Sequence, residues 1–343
     1  MRIGLVGYQG SGKSTLFAWL TGVVPDPAQA HTGQTAMAAV PEPRVEPLCQ
    51  IYHPKKITLA SLELMDTPGL ARSHEGNAAR LALIREAGCL VLVVAAFAGS
   101  DPLVDLKTFE EDLLLADLEI VTGRVEKLRE LVKKPRPTRE QDQAELALLE
   151  PLLASLESAQ ALRELPLNDE QRKAISSFRL LTQKPRLIVV NLADDGDLDP
   201  APYRAKLGAA ESVVTVRVGL EYELSRMNAE ERGEFEAELG MTGSRRDDLL
   251  RTLLDVSGQF LYFTAGEKEV RTWMLHKGGT ALEAADNIHS DLARGFIRAE
   301  TMKADDLIRL GSEREVKAKN LVRQEPKDYV VQEADVLHVK FSV

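Results

Sequence analysis

The chain has 343 residues, of which 44 % are apolar and 28 % are charged, and its formal net charge is −10. This composition is typical of a globular protein, and the length suits two or three domains. The acidic balance argues against general affinity for nucleic acid, so any contact with RNA has to come from a local patch.

Membrane and secretion signals are not found in the sequence. It has no run of about 18 apolar residues, the length needed to cross a bilayer, and its N-terminus lacks the pattern of a signal peptide. The two cysteines, Cys49 and Cys89, argue against a disulfide framework. We therefore expect a cytoplasmic protein without membrane association.

The first fifteen residues contain a phosphate-binding motif. A short apolar strand, Arg2 to Val6, precedes Gly7-Tyr-Gln-Gly-Ser-Gly-Lys-Ser14, which matches G-x-x-x-x-G-K-[ST]. Backbone N–H groups of such a loop and the N-terminus of the next helix surround phosphate oxygens. Lys13 is predicted to reach the β- and γ-phosphates, and the Ser14 hydroxyl to ligate Mg²⁺. The residues of this loop that we predict to contact nucleotide are Gln9, Gly10, Ser11, Gly12, Lys13, Ser14 and Thr15.

The next segment, Val24 to Pro43, has no hydrophobic period and is predicted to be a mobile loop. In nucleotide switch proteins this position offers a threonine to the metal. Thr35 and Thr32 are the candidates, although either could equally be an ordinary polar loop residue.

A strand predicted over Ile57 to Met65 runs into Asp66-Thr-Pro-Gly69. An acid at this position holds Mg²⁺ through water, and the glycine N–H meets the γ-phosphate. Leu70 follows where many GTP hydrolases have the glutamine that orients the attacking water. His74 could position water instead, although an exposed loop histidine is the commoner case.

The middle of the chain has a helical pattern. The run Leu90 to Val94 is typical of a central parallel strand. A heptad seam follows, is interrupted at Lys133 to Pro137 and resumes with Pro151 as a kink or restart. We predict an antiparallel helical pair between two strands of the nucleotide domain, acting as a lever or docking arm or serving only as an insertion. The seam positions are Leu114, Leu118, Val121, Val125, Leu128, Val132, Leu146, Leu149, Leu153 and Leu156.

A second strand-to-loop junction is a candidate base-binding site. A strand predicted over Arg186 to Val190 leads to Asn191-Leu-Ala-Asp194, which resembles the Asn-Lys-x-Asp element of GTPases. In that element the aspartate accepts two hydrogen bonds from guanine, and adenine offers no donor there. Leu192 replaces the lysine that packs over the base, so the residues alone leave the base preference open. A last strand, Val213 to Val216, and helices over 228–240 and 247–256 complete the domain.

The composition changes from about Leu261, where β-like runs surround one helical segment, Ala281 to Ala293, and predict a small α+β module. A loose basic run in this part could face RNA or be a solvated surface. The β-like runs are Phe260 to Thr264, Val270 to Leu275, Tyr329 to Val331 and Val336 to Phe341. The basic residues are Arg309, Arg314, Lys317, Lys319 and Arg323.

Further segments, in order, resemble the YchF/Obg-like ATPase family of P-loop proteins over nearly the whole chain. They are Val40 to Arg44, Tyr52 to Ile57, Asp112 to Glu119, Phe263 to Arg271, Ile288-His289, Gly295 to Glu300 and Lys327 to Gln332. The resemblance implies a Ras-like nucleotide domain (residues 1–108 and 183–260), an inserted helical coiled-coil arm (109–182) and a C-terminal TGS domain with a ubiquitin-like β-grasp (261–343).

The same resemblance implies a preference for ATP over GTP, slow Mg²⁺-dependent hydrolysis and association with ribosomes. Leu70 corresponds to the hydrophobic residue that replaces the catalytic glutamine in the family. The metal-binding residues fall on Ser14 and Thr35, beside the Asp66 already predicted. The family's altered base motif falls on Asn191 to Asp194, with the backbone of Leu192 contacting adenine.

The chain departs from the family pattern at four places, so by sequence it resembles a divergent member of the family. Gln9-Gly-Ser11 stands where the family has Asn-Val, and the second switch after Leu70 is shorter. Asp194 replaces a glutamate, and Arg217-Val-Gly219 replaces a Ser/Cys-Ala-Lys triplet.

We therefore expect an α/β NTPase, a monomer, whose nucleotide state moves the two switches and repositions the arm. A GTPase of the same architecture is the first alternative, favoured by Asp194. A ribosome- or RNA-interacting protein with a mainly structural nucleotide is the second.

Overall fold

The computed structural model describes residues 1–208, 211–238 and 245–342. The strands in these residues are β1 (Arg2–Val6), β2 (Gln34–Ala39), β3 (Ile57–Thr58), β4 (Ser61–Asp66), β5 (Cys89–Ala96), β6 (Arg186–Leu192), β7 (Val213–Val216), β8 (Gln259–Ala265), β9 (Val270–His276), β10 (Phe296–Lys303), β11 (Arg323–Glu325) and β12 (Asp335–Phe341).

The helices in the same residues are α1 (Lys13–Thr21), α2 (Val45–Tyr52), α3 (Asn77–Ile84), α4 (Pro102–Val132), α5 (Arg139–Glu157), α6 (Asp169–Ile175), α7 (Ala201–Leu207), α8 (Val218–Arg226), α9 (Ala229–Glu238), α10 (Arg245–Val256), α11 (Ala281–Ile288), α12 (Ser290–Arg294), α13 (Ala304–Leu310) and α14 (Glu313–Ala318). None of these described helices is both long enough and apolar enough to span a bilayer.

The chain forms two compact units. The first comprises Met1–Met37 and Glu63–Gly243, and the second comprises Ala38–Leu62 and Ser244–Val343. The segment proposed as an arm, 109–182, falls within the first unit. The division into three domains that the resemblance implies stays a prediction.

The first unit is built on a sheet in the order β2-β4-β1-β5-β6-β7. β1 pairs in parallel with β4 and β5, and β6 pairs in parallel with β5 and β7. Because the carboxyl ends of parallel strands share one edge, the loop after β1, the end of β4 and the end of β6 meet there. β1, β5, β6 and β7 include the strands predicted from the sequence.

Two predictions for the switch region are wrong. The strand predicted over Ile57 to Met65 is two strands, because β3 belongs to the sheet of the second unit and β4 to that of the first. The segment predicted to be a loop, Val24 to Pro43, contains β2. The strand has the sequence Gln-Thr-Ala-Met-Ala-Ala, and its small side chains give little hydrophobic alternation.

The helical pair in the first unit consists of α4 and α5, joined by a short loop. Their facing apolar positions form one buried cluster, which includes Val121, Val125, Leu149 and Leu156. α4 begins at Pro102, earlier than the arm boundary predicted at residue 109, because the Asp101 carboxylate caps its first turn. α5 continues through Pro151 without a restart.

The second unit contains the other sheet, in the order β11-β10-β12-β8-β9-β3. β8 pairs antiparallel with β9, β10 pairs antiparallel with β12, and β12 pairs in parallel with β8. β8, β9 and β12 correspond to predicted runs, and α10 covers the helix predicted over 247–256. The helix predicted over 228–240 corresponds to α9 of the first unit, and the last two residues of that prediction lie outside the described part.

The prediction for the C-terminal segment is wrong in three details. The helix expected over Ala281 to Ala293 is two helices, because His289 is extended (φ −166°) and its ring caps α12. Tyr329 to Val331 forms only an isolated bridge, between Val330 and Thr280. β10 and β11 were not predicted. The β-grasp assignment stays a prediction.

Candidate nucleotide site

The phosphate loop connects β1 to α1 and ends at Gly12, which caps α1 in a left-handed conformation (φ 95°). A side chain is excluded there, because a Cβ atom on Gly12 would lie 2.2 Å from Asn191 Nδ2. The loop geometry therefore depends on glycine at this position.

Lys13 is buried against the loop that precedes it. Its Nζ donates a hydrogen bond of 2.7 Å to the Tyr8 carbonyl and lies 3.4 Å from Ser11 Oγ. Burial lowers the pKa of Lys13 to about 8, although the nearby Asp66 carboxylate opposes that shift. This ammonium group has little solvation of its own and would gain strongly from a phosphate oxygen.

Ser14 and Asp66 lie together beside the loop. The Ser14 hydroxyl donates a hydrogen bond of 2.7 Å to Asp66 Oδ2. Asp66 Oδ1 is buried and has no hydrogen-bond partner within the described part of the chain. Burial raises the pKa of Asp66, while the Ser14 hydrogen bond and the charge of Lys13 lower it.

The oxygen atoms of Ser14 and Asp66 are suitable ligands for a divalent cation. A buried carboxylate oxygen without a partner next to a hydroxyl is the hard-oxygen pair that Mg²⁺ takes from a protein, the remaining ligands being phosphate and water. Residues 1–208, 211–238 and 245–342 hold no cluster of three or more His, Cys, Asp or Glu residues able to bind a metal alone.

Gly69 and Leu70 lie against the phosphate loop. Leu70 N donates to the Gly7 carbonyl at 3.1 Å, and the Leu70 carbonyl accepts from Gln9 N at 3.1 Å. A Cβ atom on Gly69 would lie 2.8 Å from Lys13 Nζ. The Leu70 side chain is fully buried in the core, so it does not face the phosphate site.

A cavity of about 560 Å³ lies in front of the loop, within the range of small-molecule sites. Its walls come from the phosphate loop, the end of β4, residues of the segment 24–34, α3 and α8. Several of the lining side chains were not singled out from the sequence, among them four large polar or aromatic ones. These four are His31, Gln34, Arg80 and Tyr222.

Three other switch candidates, Thr32, Thr35 and His74, are not among the residues that line this cavity. Thr35 is exposed at the start of β2, and the Thr32 hydroxyl donates to the Gln29 carbonyl at 3.0 Å. His74 Nδ1 lies 3.1 Å from Asp112 Oδ1 on α4. Thr32, Thr35 and His74 do not line the cavity, and their metal and catalytic roles stay predictions.

The residues of the candidate base motif occupy different environments. Asn191 is buried; its Nδ2 donates to the Ser11 carbonyl at 3.0 Å and its Oδ1 accepts from Val218 N at 3.1 Å. The side chain of Leu192 is packed in the core. Asp194 is exposed and has no hydrogen bond or ion pair with any described residue.

Arg217 closes the loop that follows the motif. Its Nε and Nη2 donate to the Gly196 carbonyl at 2.9 and 2.7 Å. Asn191, Leu192 and Asp194 do not line the cavity, so their contact with a base stays a prediction.

Comparisons with known proteins cover the whole chain. A family model described as 50S ribosome-binding GTPase matches residues 2–124, and the YchF-GTPase C-terminal model, described as a protein of unknown function, matches residues 260–342. The Bacillus subtilis "Ribosome-binding ATPase YchF" is 34 % identical over 99 % of both chains. "Obg-like ATPase 1" of Oryza sativa is 34 % identical over 100 % of this chain and 92 % of that protein.

A solved structure has the same fold. The Schizosaccharomyces pombe YchF GTPase is 27 % identical and superposes with a TM-score of 0.86, covering 99 % of this chain and 97 % of that one. The Ras-like P-loop architecture predicted for the nucleotide domain is thus confirmed. With full-length identity above 30 % to several relatives, the chain belongs to the YchF/Obg-like ATPase family.

Proposed function

We propose that this protein hydrolyses a nucleoside triphosphate slowly in the presence of Mg²⁺, with ATP preferred over GTP. The observation that carries the proposal is one cavity that brings together Lys13, Ser14, Asp66 and Gly69. Each of these residues has the chemistry and the neighbours that a triphosphate with its cation requires.

Hydrolysis at this site would rest on charge and positioning. Lys13 and the loop amides hold the β- and γ-phosphates while water attacks phosphorus in line. Ser14 and Asp66 would hold Mg²⁺, which neutralises charge that develops on the phosphate oxygens. Because the Leu70 side chain is in the core, it cannot orient water, which supports a low intrinsic rate.

The relatives' names support a ribosomal partner. Several are called ribosome-binding ATPases, and we propose that this chain also binds ribosomes, as a cytoplasmic monomer that acts in translation or stress response. The helical pair α4 and α5 would be the lever. The Tyr8 hydroxyl on the phosphate loop donates to Asp112 Oδ2 of α4 at 2.9 Å, a contact that would carry the nucleotide state to the arm.

The experiment is a titration of nucleotide-free protein with fluorescent ATP and GTP analogues in Mg²⁺, with competition by unlabelled nucleotides. ATP binding at least tenfold tighter, about 1.4 kcal/mol, would support the ATPase. GTP binding tighter by the same factor would overturn the ATP preference. Lys13→Ala is the control, because it removes the charge that holds the phosphates and should weaken both nucleotides.

A GTPase is the second candidate, because the Asp194 carboxylate is exposed and has no described partner. In that case Asp194→Asn would weaken GTP binding at least tenfold and leave ATP unchanged. The remaining alternative, a mainly structural nucleotide, requires tight binding without turnover even with ribosomes. Multiple-turnover hydrolysis above the Lys13→Ala control would exclude it.

A further inference from the structure

We propose that Arg80 contacts the terminal phosphate of the bound nucleotide and stabilises the charge that develops there during hydrolysis. This inference rests on the proposed function and assigns a role to a residue outside the phosphate loop and the two switch motifs. Arg80 is the fourth residue of α3 and lines the nucleotide cavity.

Arg80 has no ion-pair partner in the part of the chain that the structure describes. Within the described residues, no carboxylate lies within ion-pair distance of its guanidinium, and its side chain makes one hydrogen bond, from Nη1 to Asn77 Oδ1 at 3.2 Å. The two nearest arginines in the sequence, by contrast, each pair with a carboxylate. Arg72 pairs with Asp105 at 2.7 Å, and Arg85 pairs with Asp117 at 2.6 Å.

The described residues that line the cavity include two basic side chains, Lys13 and Arg80, of which only Arg80 stays charged at every pH of interest. The acids in its wall are Asp26 and Asp66, and Asp66 is already engaged by Ser14. A cation that faces a cavity and has no carboxylate partner is suited to bind an anionic ligand. A guanidinium can donate two parallel hydrogen bonds to two oxygens of a phosphate group.

Asn77 fixes Arg80 relative to the second switch. Its carboxamide is buried, accepts a hydrogen bond from Ala71 N at 2.8 Å and donates one to the Ala71 carbonyl at 2.9 Å. Ala71 is two residues after Gly69, whose backbone lies against the phosphate loop. The segment that senses the γ-phosphate is thus tied through one side chain to Arg80.

Arg80 would act as a fixed charge. Water attacks the γ-phosphorus, the bond from that phosphorus to the β,γ-bridging oxygen breaks, and the nucleoside diphosphate leaves with the electron pair. One proton of the attacking water passes to an oxygen of the γ-phosphate, which is released as inorganic phosphate. The guanidinium neither gives nor takes a proton, since arginine stays protonated in proteins. It compensates charge on the phosphate oxygens, a task that the buried Leu70 cannot perform.

The test compares the affinities for ADP and a non-hydrolysable ATP analogue in Mg²⁺, for the unmodified protein, Arg80→Gln and Arg80→Lys. Arg80→Gln should lower the affinity for the triphosphate tenfold or more and leave ADP within twofold. Arg80→Lys keeps the charge without the paired donors, so an intermediate loss is expected. Arg129→Gln is the control, because Arg129 is an exposed arginine on α4 that pairs with Glu150.

Two results would overturn the inference. One is an Arg80→Gln protein that distinguishes triphosphate from diphosphate as the unmodified protein does. The other is an equal loss for both nucleotides, which would indicate a general structural role; Arg80→Lys decides the case if Arg80→Gln fails to fold. Failure of the proposed function would give a different result. In that case the unmodified protein would bind the triphosphate no more tightly than Lys13→Ala does.

Discussion

The carboxamide of Asn191 lies directly against Gly12, so that a Cβ atom on Gly12 would lie 2.2 Å from Asn191 Nδ2. The same carboxamide joins the Ser11 carbonyl to the amide of Val218 at the start of α8. Asn191, identified in the sequence as part of a base motif, therefore supports the phosphate loop.

This contact predicts that substitutions at Gly12 and Asn191 have non-additive effects on the free energy of unfolding. Gly12→Ala should destabilise the protein through backbone strain at φ 95° and through the clash with Asn191. Asn191→Ala leaves the Ser11 carbonyl and the Val218 N–H unpaired, at a cost of about 1–3 kcal/mol. Because Asn191→Ala also removes the clash, the double variant should be more stable than the sum of the two losses predicts, by about 1 kcal/mol or more.

Denaturant unfolding of the two single variants and the double variant measures this coupling. Gly10→Ala is the matched control, since Gly10 has φ 80° and nothing within 4 Å of an added Cβ. The stability lost in Gly10→Ala should add to the stability lost in Asn191→Ala. Additive losses for Gly12 and Asn191 would contradict the arrangement.

A second prediction concerns the pH dependence of stability. The pKa of Lys13 is about 8 in the folded protein because of burial, against an ordinary value of 10.5. Between these values the unfolded chain binds more protons than the folded one, so the free energy of unfolding should rise with pH. The rise due to Lys13 should be about 2 kcal/mol between pH 7.5 and about pH 9.5.

The measurement is the difference in unfolding free energy between the unmodified protein and Lys13→Met at several pH values. The difference should change across this window, because methionine does not titrate. Lys107→Met provides the control at an exposed lysine of α4 and should follow the unmodified protein. A Lys13→Met curve parallel to that of the unmodified protein would show that Lys13 keeps its ordinary pKa.

A third prediction concerns the residue that replaces the catalytic glutamine. Leu70→Gln restores the residue type found in many GTP hydrolases, yet the side chain would lie in the core rather than in the cavity. We expect a loss of about 1–3 kcal/mol in the free energy of unfolding from burying the amide, and no faster hydrolysis. Single-turnover rates decide this, with Leu70→Met as a control of similar volume. A tenfold acceleration would mean that position 70 reaches the attacking water.

The sequence predicted the phosphate loop, Asp66 and four strands of the first sheet, since each is marked by a local pattern of glycine, acid or apolar residues. It did not predict Arg80, Gln34 or Tyr222 in the cavity wall, because long-range folding brings them there and no motif marks them. β2 was missed because its alanines give no clear alternation. The division of Ile57 to Met65 between two sheets depends on tertiary pairing, which local periodicity does not report.

The last prediction concerns the path from the phosphate loop to the helical pair. The Tyr8 hydroxyl donates to Asp112 Oδ2 at 2.9 Å, and its ring packs edge-to-face on Phe109, with centroids 5.4 Å apart. In the second switch, His74 Nδ1 lies 3.1 Å from the other carboxylate oxygen of Asp112, Oδ1. Tyr8→Phe removes the hydroxyl and keeps the ring, while the Tyr8 carbonyl still holds Lys13.

We therefore expect Tyr8→Phe to bind nucleotide within about threefold of the unmodified protein, a difference of less than ~1 kcal/mol. Nucleotide should nevertheless change hydrogen exchange along α4 and α5 less than in the unmodified protein, because the hydrogen bond from the loop to α4 is lost and only the ring packing on Phe109 remains. Tyr52→Phe is the matched control, since the Tyr52 hydroxyl donates to Glu313 in the second unit at 2.7 Å. If exchange along the helical pair responded to nucleotide equally in Tyr8→Phe and Tyr52→Phe, the Tyr8–Asp112 hydrogen bond would not carry the nucleotide state to the arm.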